Sequence, residues 1–389
     1  MFHVALSRRL ALVLVASLAL AGCGTAAPSS VAIATPTPAT SAAATALPPT
    51  PSSEPSSSPL PTTWQQLDLF PEADGPFDPG LLLTDLSGFT LTARAHDVAS
   101  AWSSPDGETW TVAPLPSVPQ SKASPYTGAA GATRTVLLGV GDGQCAHPVA
   151  NFTWACPTGG AWAAAPWQDL FCAGGQGSIA TDGQTFVVAG TGAGDQPFLW
   201  ASQDGLTWTA TPIAVEIAPA AVVWAGSEFL SLARGGSGFT VLTSPNGVDW
   251  NNAPATGLPG GGLPRLFALS GRVVALLGAG GTLGAYQRQA DGSWLSVPTI
   301  GLDASADDIT NAPTTSGLGF VFLSTTAGGG TVLASDDGLA WRTVATPAAS
   351  RFMGAAVFGD RAVLLGAQDT ASGTQALAWW GPAALLAGG

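Results

Sequence analysis

Basic and metal-ligating side chains are scarce in this chain. Of 389 residues only 12 are Lys or Arg, with Lys122 the single lysine, against 25 Asp or Glu, so the formal net charge is −13. Loss of Arg8 and Arg9 with a leader would take it to −15. Such a balance excludes nucleic acid and anionic membrane surfaces as electrostatic partners. Histidine is limited to His3, His96 and His147, and none of the four cysteines is spaced as a zinc ligand pair, so no metal site is expected. The glycine runs 260–262 and 328–330 do not join a strand to a helix as phosphate loops do, and no cofactor is expected. Long apolar runs are absent apart from residues 10–21, which are too few to span a bilayer.

Glycine (50), proline (31) and tryptophan (14) are plentiful instead. Six of the tryptophans fall into one repeated string. SQDGLTW at 202–208 recurs as SPDGETW ending at Trp110, CPTGGAW at Trp162, SPNGVDW at Trp250, QADGSW at Trp294 and SDDGLAW at Trp341. The intervals are 52, 46, 42, 44 and 47 residues. A period of roughly 40–50 residues built from short strands is that of a radial array with one four-stranded sheet per repeat. Within one unit, residues 177–181 read as the inner strand, Asp182-Gly183 as a hairpin turn and 185–189 as the second strand. Residues 198–202 then form the third strand, Asp204-Gly205 a turn and 206–211 the outer strand, because Asp and Gly tolerate the positive φ of tight hairpins. The first-hairpin glycine recurs at 88, 131, 183, 226, 271, 317 and 359. The fold expected is all-β, a seven-bladed propeller of four-stranded blades. Its last blade has three strands and no Trp-bearing fourth, and residues 64–70 lie on the same period. The N-terminal strand should therefore close the ring in the last blade, removing open sheet edges; a monomer is expected.

Three segments follow. Residues 1–22 have the layout of an export signal, with Arg8 and Arg9 before the apolar run. Leu20-Ala21-Gly22-Cys23 resembles the lipobox of bacterial lipoproteins, which implies cleavage before Cys23, acylation of that cysteine and a membrane partner held through the lipid. Residues 23–62 are almost wholly Ala, Pro, Ser and Thr, with Glu54 the only charge, and cannot bury a core. This stalk would reach at most ~120 Å at about 3.1 Å per residue. Residues 63–389 hold the propeller, on the outer side of the cell membrane.

The S-x-D-G-x-T-W unit resembles a shortened Asp-box, the bacterial neuraminidase repeat. The resemblance covers residues 63–382 and implies a propeller whose repeat turns lie away from the substrate face. Asp106, Asp204, Asn246, Asp291 and Asp337 then serve local backbone amides rather than chemistry. A sialidase would also need an arginine triad, a tyrosine–glutamate pair and an early (F/Y)-R-I-P string; no such string occurs, and only Tyr126 and Tyr286 are present.

A ligand would meet the loops that lead into the inner strands, which contain Tyr126, Trp167, Glu216, Arg265, Asp303, Asp307, Asp308 and Arg351. Aromatic, Arg and Asp side chains around a funnel suit a sugar or a peptide end. The expected role is a binding or scaffold module for a glycan or protein, with a divergent glycoside hydrolase and a structural envelope protein as alternatives. A hydrolase would require two facing carboxylates. In an oxidising compartment the pairing expected is Cys145 with Cys172, leaving Cys156 a buried thiol in the repeat turn, with Cys145–Cys156 the rival.

Overall fold

Alternating apolar positions along short segments, punctuated by Gly, Asp and Pro, leave the chain little option but pleated strands. The computed structural model describes residues 60–70, 77–95, 98–118, 123–142, 149–166, 177–191, 196–215, 219, 221–235, 238–262, 264–269, 271–279, 282–299, 314–315, 321–325, 330–371 and 373–387. Among these residues the strands form seven four-stranded antiparallel sheets. Blade 1 is Asp78–Asp85, Gly88–Ala95, Val98–Ser104 and Thr111–Pro114, from inner to outer strand. The inner strands of blades 2 to 7 are Ser124–Ala130, Ile179–Thr181, Ala221–Trp224, Arg265–Leu269, Thr314–Thr315 and Arg351–Phe358. Each inner strand contacts the next, and the last contacts the first, so the sheets form a closed ring.

No single core serves this ring. Seven apolar clusters occupy the seven gaps between neighbouring blades. Between blades 2 and 3, for example, Val136 and Leu138 meet Ile179, Phe186, Val188 and Trp200. Both faces of each sheet are thus buried, which explains why the second strands, such as Phe186–Thr191, read as near-continuous apolar runs rather than alternating ones.

The ring closes as the repeat phase requires. Gln65–Leu67 pairs with Gly373–Pro382 as the outer strand of blade 7, with Gln65 opposite Trp380 and Leu67 opposite Ala378. The closing strand is shorter than the seven residues expected, and side chains complete the seam. The Gln375 amide donates to the Phe70 carbonyl at 3.3 Å and accepts from the Phe77 amide at 3.3 Å. Phe70, Phe77 and Trp102 form a buried triangle with ring centroids 5.4, 5.4 and 6.1 Å apart. On the opposite side Arg361 lies 5.1 Å over the Trp380 ring and 3.4 Å from Glu108 of blade 1.

The strand ends depart from expectation at the turns. In blade 3 the outer strand is Thr209–Pro212, and the last register pair before the turn is Ala201 with Thr209. Residues 203–208 therefore form the turn, because the repeat string uses its own side chains to satisfy the backbone there. The first hairpin of the same blade likewise turns over residues 182–185, with Asp182 accepting from the amides of Gln184 and Thr185 at 2.8 and 2.6 Å.

Candidate functional site

The antiparallel order gives the ring two unlike faces. One carries the first hairpin and the repeat turn of each blade; the other carries the second-to-third-strand hairpins and the crossings from each outer strand to the next inner strand, and is the face where a ligand is expected.

On the turn face the repeat string performs one task four times. In blades 1, 3, 4 and 6 the hydroxyls of Ser104, Ser202, Ser244 and Ser335 donate to Oδ1 of Asp106, Asp204, Asn246 and Asp337 at 3.1, 3.0, 3.1 and 3.1 Å. Each Ser Oγ also accepts from the following glycine amide, at 2.7, 2.8, 2.9 and 2.8 Å. Each Oδ1 accepts two further amides, those of Leu206 (2.8 Å) and Thr207 (2.7 Å) in blade 3. The Trp indole N–H then donates back to the glycine carbonyl at 2.9, 3.2, 2.9 and 3.2 Å. Burial opposes ionisation of Asp106, Asp204 and Asp337. The amides donated to them, with the Ser hydroxyl, outweigh it and hold all three carboxyls below the ordinary range. These residues are committed to their own turns.

Three of the expected ligand residues are described, and they lie on the crossover face. Tyr126 is the extra residue of a β-bulge, since Pro125 pairs with Gly139 while Thr127 pairs with Leu138. The bulge turns its ring into the gap between blades 2 and 3, against Phe198 and Trp200. The ring is half-exposed, but its hydroxyl is buried with no hydrogen-bond partner, and burial pushes its pKa far above the usual tyrosine range. Arg265 opens the inner strand of blade 5 opposite Leu276, which packs against blade 6; burial lowers its pKa without threatening its charge. Arg351 opens the inner strand of blade 7. It pairs with Asp369 at 3.0 Å and donates to Thr374 Oγ1 at 3.4 Å. These three stand on the inner strands of blades 2, 5 and 7, and Arg351 is engaged within its own blade. Cys23, Cys145, Trp167, Cys172, Glu216, Asp303, Asp307 and Asp308 lie outside the described residues.

Two features of this face escaped the sequence reading. Asp78 and Arg94 of blade 1 pair at 3.0 Å as direct cross-strand partners. The turn at Leu86-Ser87 alone would set Asp78 opposite Ala95, and the β-bulge between Pro79 and Leu82 shifts the register so that Arg94 faces it. The second is a groove of about 340 Å³ between blades 3 and 4, lined by Ala214 and Val215 from one side and Gly235, Thr240, Asn252 and Pro254 from the other. Asn252 follows the repeat tryptophan by two residues, at a position that is Val112 in blade 1 and Ala210 in blade 3.

Tyr286 lies in the third strand of blade 5, Thr282–Arg288, packed against the cluster between blades 4 and 5, away from the inner-strand ends. Cys156 is a free thiol, half-buried rather than buried, in the position that the other turns give to serine. Among the described residues no group of His, Cys, Asp and Glu could hold a metal ion.

No protein-family model and no curated protein matches the chain. Among solved structures it is similar to the Trypanosoma rangeli sialidase in complex with the inhibitor DANA, at 12% identity over 84% of this chain and 61% of that one, TM-score 0.47. It is also similar to the β-propeller domain of the Trilobed protease from Pyrococcus furiosus, at 10% identity over 78% of this chain and 95% of that one, TM-score 0.48. A third is the acylaminoacyl peptidase of Pyrococcus horikoshii, at 11% identity over 78% and 51%, TM-score 0.48. The chain thus spans about three fifths of the sialidase and about half of the peptidase. These likenesses concern the course of the backbone; the propeller assignment rests on the sheet order described above.

Proposed function

We propose that this chain is a propeller module, held outside the cell membrane by a lipid on Cys23 and a stalk over residues 23–62, that binds a glycan or a protein without turning it over. The observation that carries the non-catalytic reading is the state of the polar groups at the inner-strand ends. A nucleophile or general base must present its reactive atom to the substrate with a pKa near the working pH. The Tyr126 hydroxyl is instead buried between blades with a raised pKa, and Arg351 and Arg94 are each engaged by a carboxylate of the chain itself.

The test is to screen the full chain, in detergent, against fluorogenic glycosides and against arrays of immobilised glycans. Binding without turnover is the expected result. Turnover abolished by substitution of a single carboxylate would establish a glycoside hydrolase and overturn this reading. Cys23→Ala should release the chain from membrane fractions and make its processing insensitive to globomycin; unchanged fractionation would refute the anchor.

A further inference from the structure

The groove between blades 3 and 4 differs from the rest of the crossover face in the company its polar groups keep. Arg351, Arg94 and their acids are engaged within the chain. In the groove, by contrast, neither the Asn252 amide nor the Thr240 hydroxyl makes a hydrogen bond among the described residues. Both project from blade 4 toward blade 3, because Asn252 pairs with Leu242, which packs against blade 3, and Thr240 pairs with Pro254 on the same side. Blades 1 and 3 place Val112 and Ala210 where blade 4 has Asn252, so the sheet needs no amide there. A donor–acceptor group that the fold does not use, beside a hydroxyl that it also does not use, is available to a guest.

The remaining lining defines the guest. Among the described residues no side chain lining the groove carries a charge, so none of them would offset the desolvation of a carboxylate or an ammonium group. Val215 and Pro254 supply an apolar wall, Gly235 leaves open space where a side chain would stand, and about 340 Å³ lies at the small end of ligand sites. A pyranose ring has the matching character, with C–H groups on its faces and hydroxyls at its edge, each of which can both donate and accept. We infer that this groove is the binding site of the module and that its ligand is an uncharged saccharide residue. The inference rests on the glycan form of the function proposed above and names its site and class.

The experiment titrates the full chain with neutral trisaccharides built from glucose, mannose or galactose, and with sialyllactose, by calorimetry, in the parent, Asn252→Val, Thr240→Val and Arg351→Ala chains. Asn252→Val installs the side chain that blade 1 carries at this position, so folding is preserved. Loss of one hydrogen bond worth about 1 kcal/mol should weaken binding of a neutral sugar roughly fivefold per substitution, and loss of two roughly thirtyfold, while Arg351→Ala leaves it unchanged. A neutral sugar whose binding ignores both groove substitutions would overturn the site and leave glycan binding standing. Preference for sialyllactose would overturn the uncharged class. Failure of every sugar to bind would overturn the inference together with the glycan form of the proposed function.

Discussion

Blades 1, 3, 4 and 6 carry the complete repeat turn, and blades 2 and 5 carry eroded versions; the difference shows that the turn joins blades as well as closing a hairpin. In three of the four complete turns a Cβ on the glycine would strike the preceding blade, and at Gly107 it would lie a tight 3.1 Å from Val363 of blade 7. At Gly205 it would lie 2.4 Å from Val136, at Gly247 2.6 Å from Val187 and at Gly338 2.7 Å from Phe267. At Gly159 and Gly292, in the eroded turns, it would meet nothing within 4 Å. In blade 5 the string is one residue shorter, and Asp291 accepts only from Ser293, through its amide at 3.0 Å and its hydroxyl. The shortened turn also strands the buried Trp294 indole N–H, which has no partner where its four counterparts bond a glycine carbonyl. A complete turn therefore holds the Trp, caps its own backbone and seats its glycine on the neighbouring sheet.

The largest expected effect isolates that joint. Gly205 and Gly159 both have φ of +70°, so alanine at either meets the same backbone strain of about 1–2 kcal/mol. Only at Gly205 does the new methyl also collide with the preceding blade, adding about 1–3 kcal/mol of overpacking. Urea unfolding should therefore show Gly205→Ala losing clearly more stability than Gly159→Ala. Equal losses would mean that the turn is only a local cap.

The same comparison explains what the sequence could disclose. Blade number, the closing strand and the two-faced layout followed from Trp spacing and turn chemistry, because a period of forty-odd residues constrains the whole ring. Strand ends at the turns did not, since Ser202 through Trp208 satisfy their backbone with side chains and so delay pairing to Thr209. Nor did the site. Tyr126 fits the alternation of its strand until the bulge between Pro125 and Thr127 rotates it into a gap, and a bulge has no residue signature here. Asp78 and Arg94 became partners only through register. Asn252 was visible in the string as an amide where Val112 and Ala210 stand, a departure that acquires meaning only when the groove beside it is seen.

An intermediate effect should appear in acid. The carboxyls of Asp106, Asp204 and Asp337 titrate below their ordinary value of about 3.9, so their turns contribute fully above that pH and lose stability as pH falls through the lowered values. Asn246 accepts from Val248 and Asp249 at 2.9 and 2.9 Å without titrating, which makes blade 4 a natural control. Replacing the three aspartates by asparagine should leave stability near pH 7 little changed and flatten the decline below about pH 4. Because the three carboxyls are only half-buried, solvent screening reduces the contribution to about a few tenths of a kcal/mol each. A parent and a triple variant with the same acid limb would show that these carboxyls do not govern it.

The smallest effect tests why blade 2 lost its motif. Cys156 and Thr158 stand where a complete turn has Ser and Asp, and restoring both should add a cap worth about 1 kcal/mol. A neighbour opposes this. Asp85 on the first hairpin of blade 1 accepts from Thr135 of blade 2 at 2.9 Å, and its charge, after burial, helps to raise the pKa of the Cys156 thiol. A carboxylate at 158 would sit two residues along the chain from a site that already feels that charge. The gain from Cys156→Ser with Thr158→Asp should therefore be only a fraction of the full cap, and adding Asp85→Asn, which keeps the acceptor oxygen but removes the charge, should restore the remainder. If the double variant is stabilised fully with Asp85 intact, electrostatics did not shape the blade 2 turn, and its erosion reflects the absence of any neighbour for Gly159 to seat against.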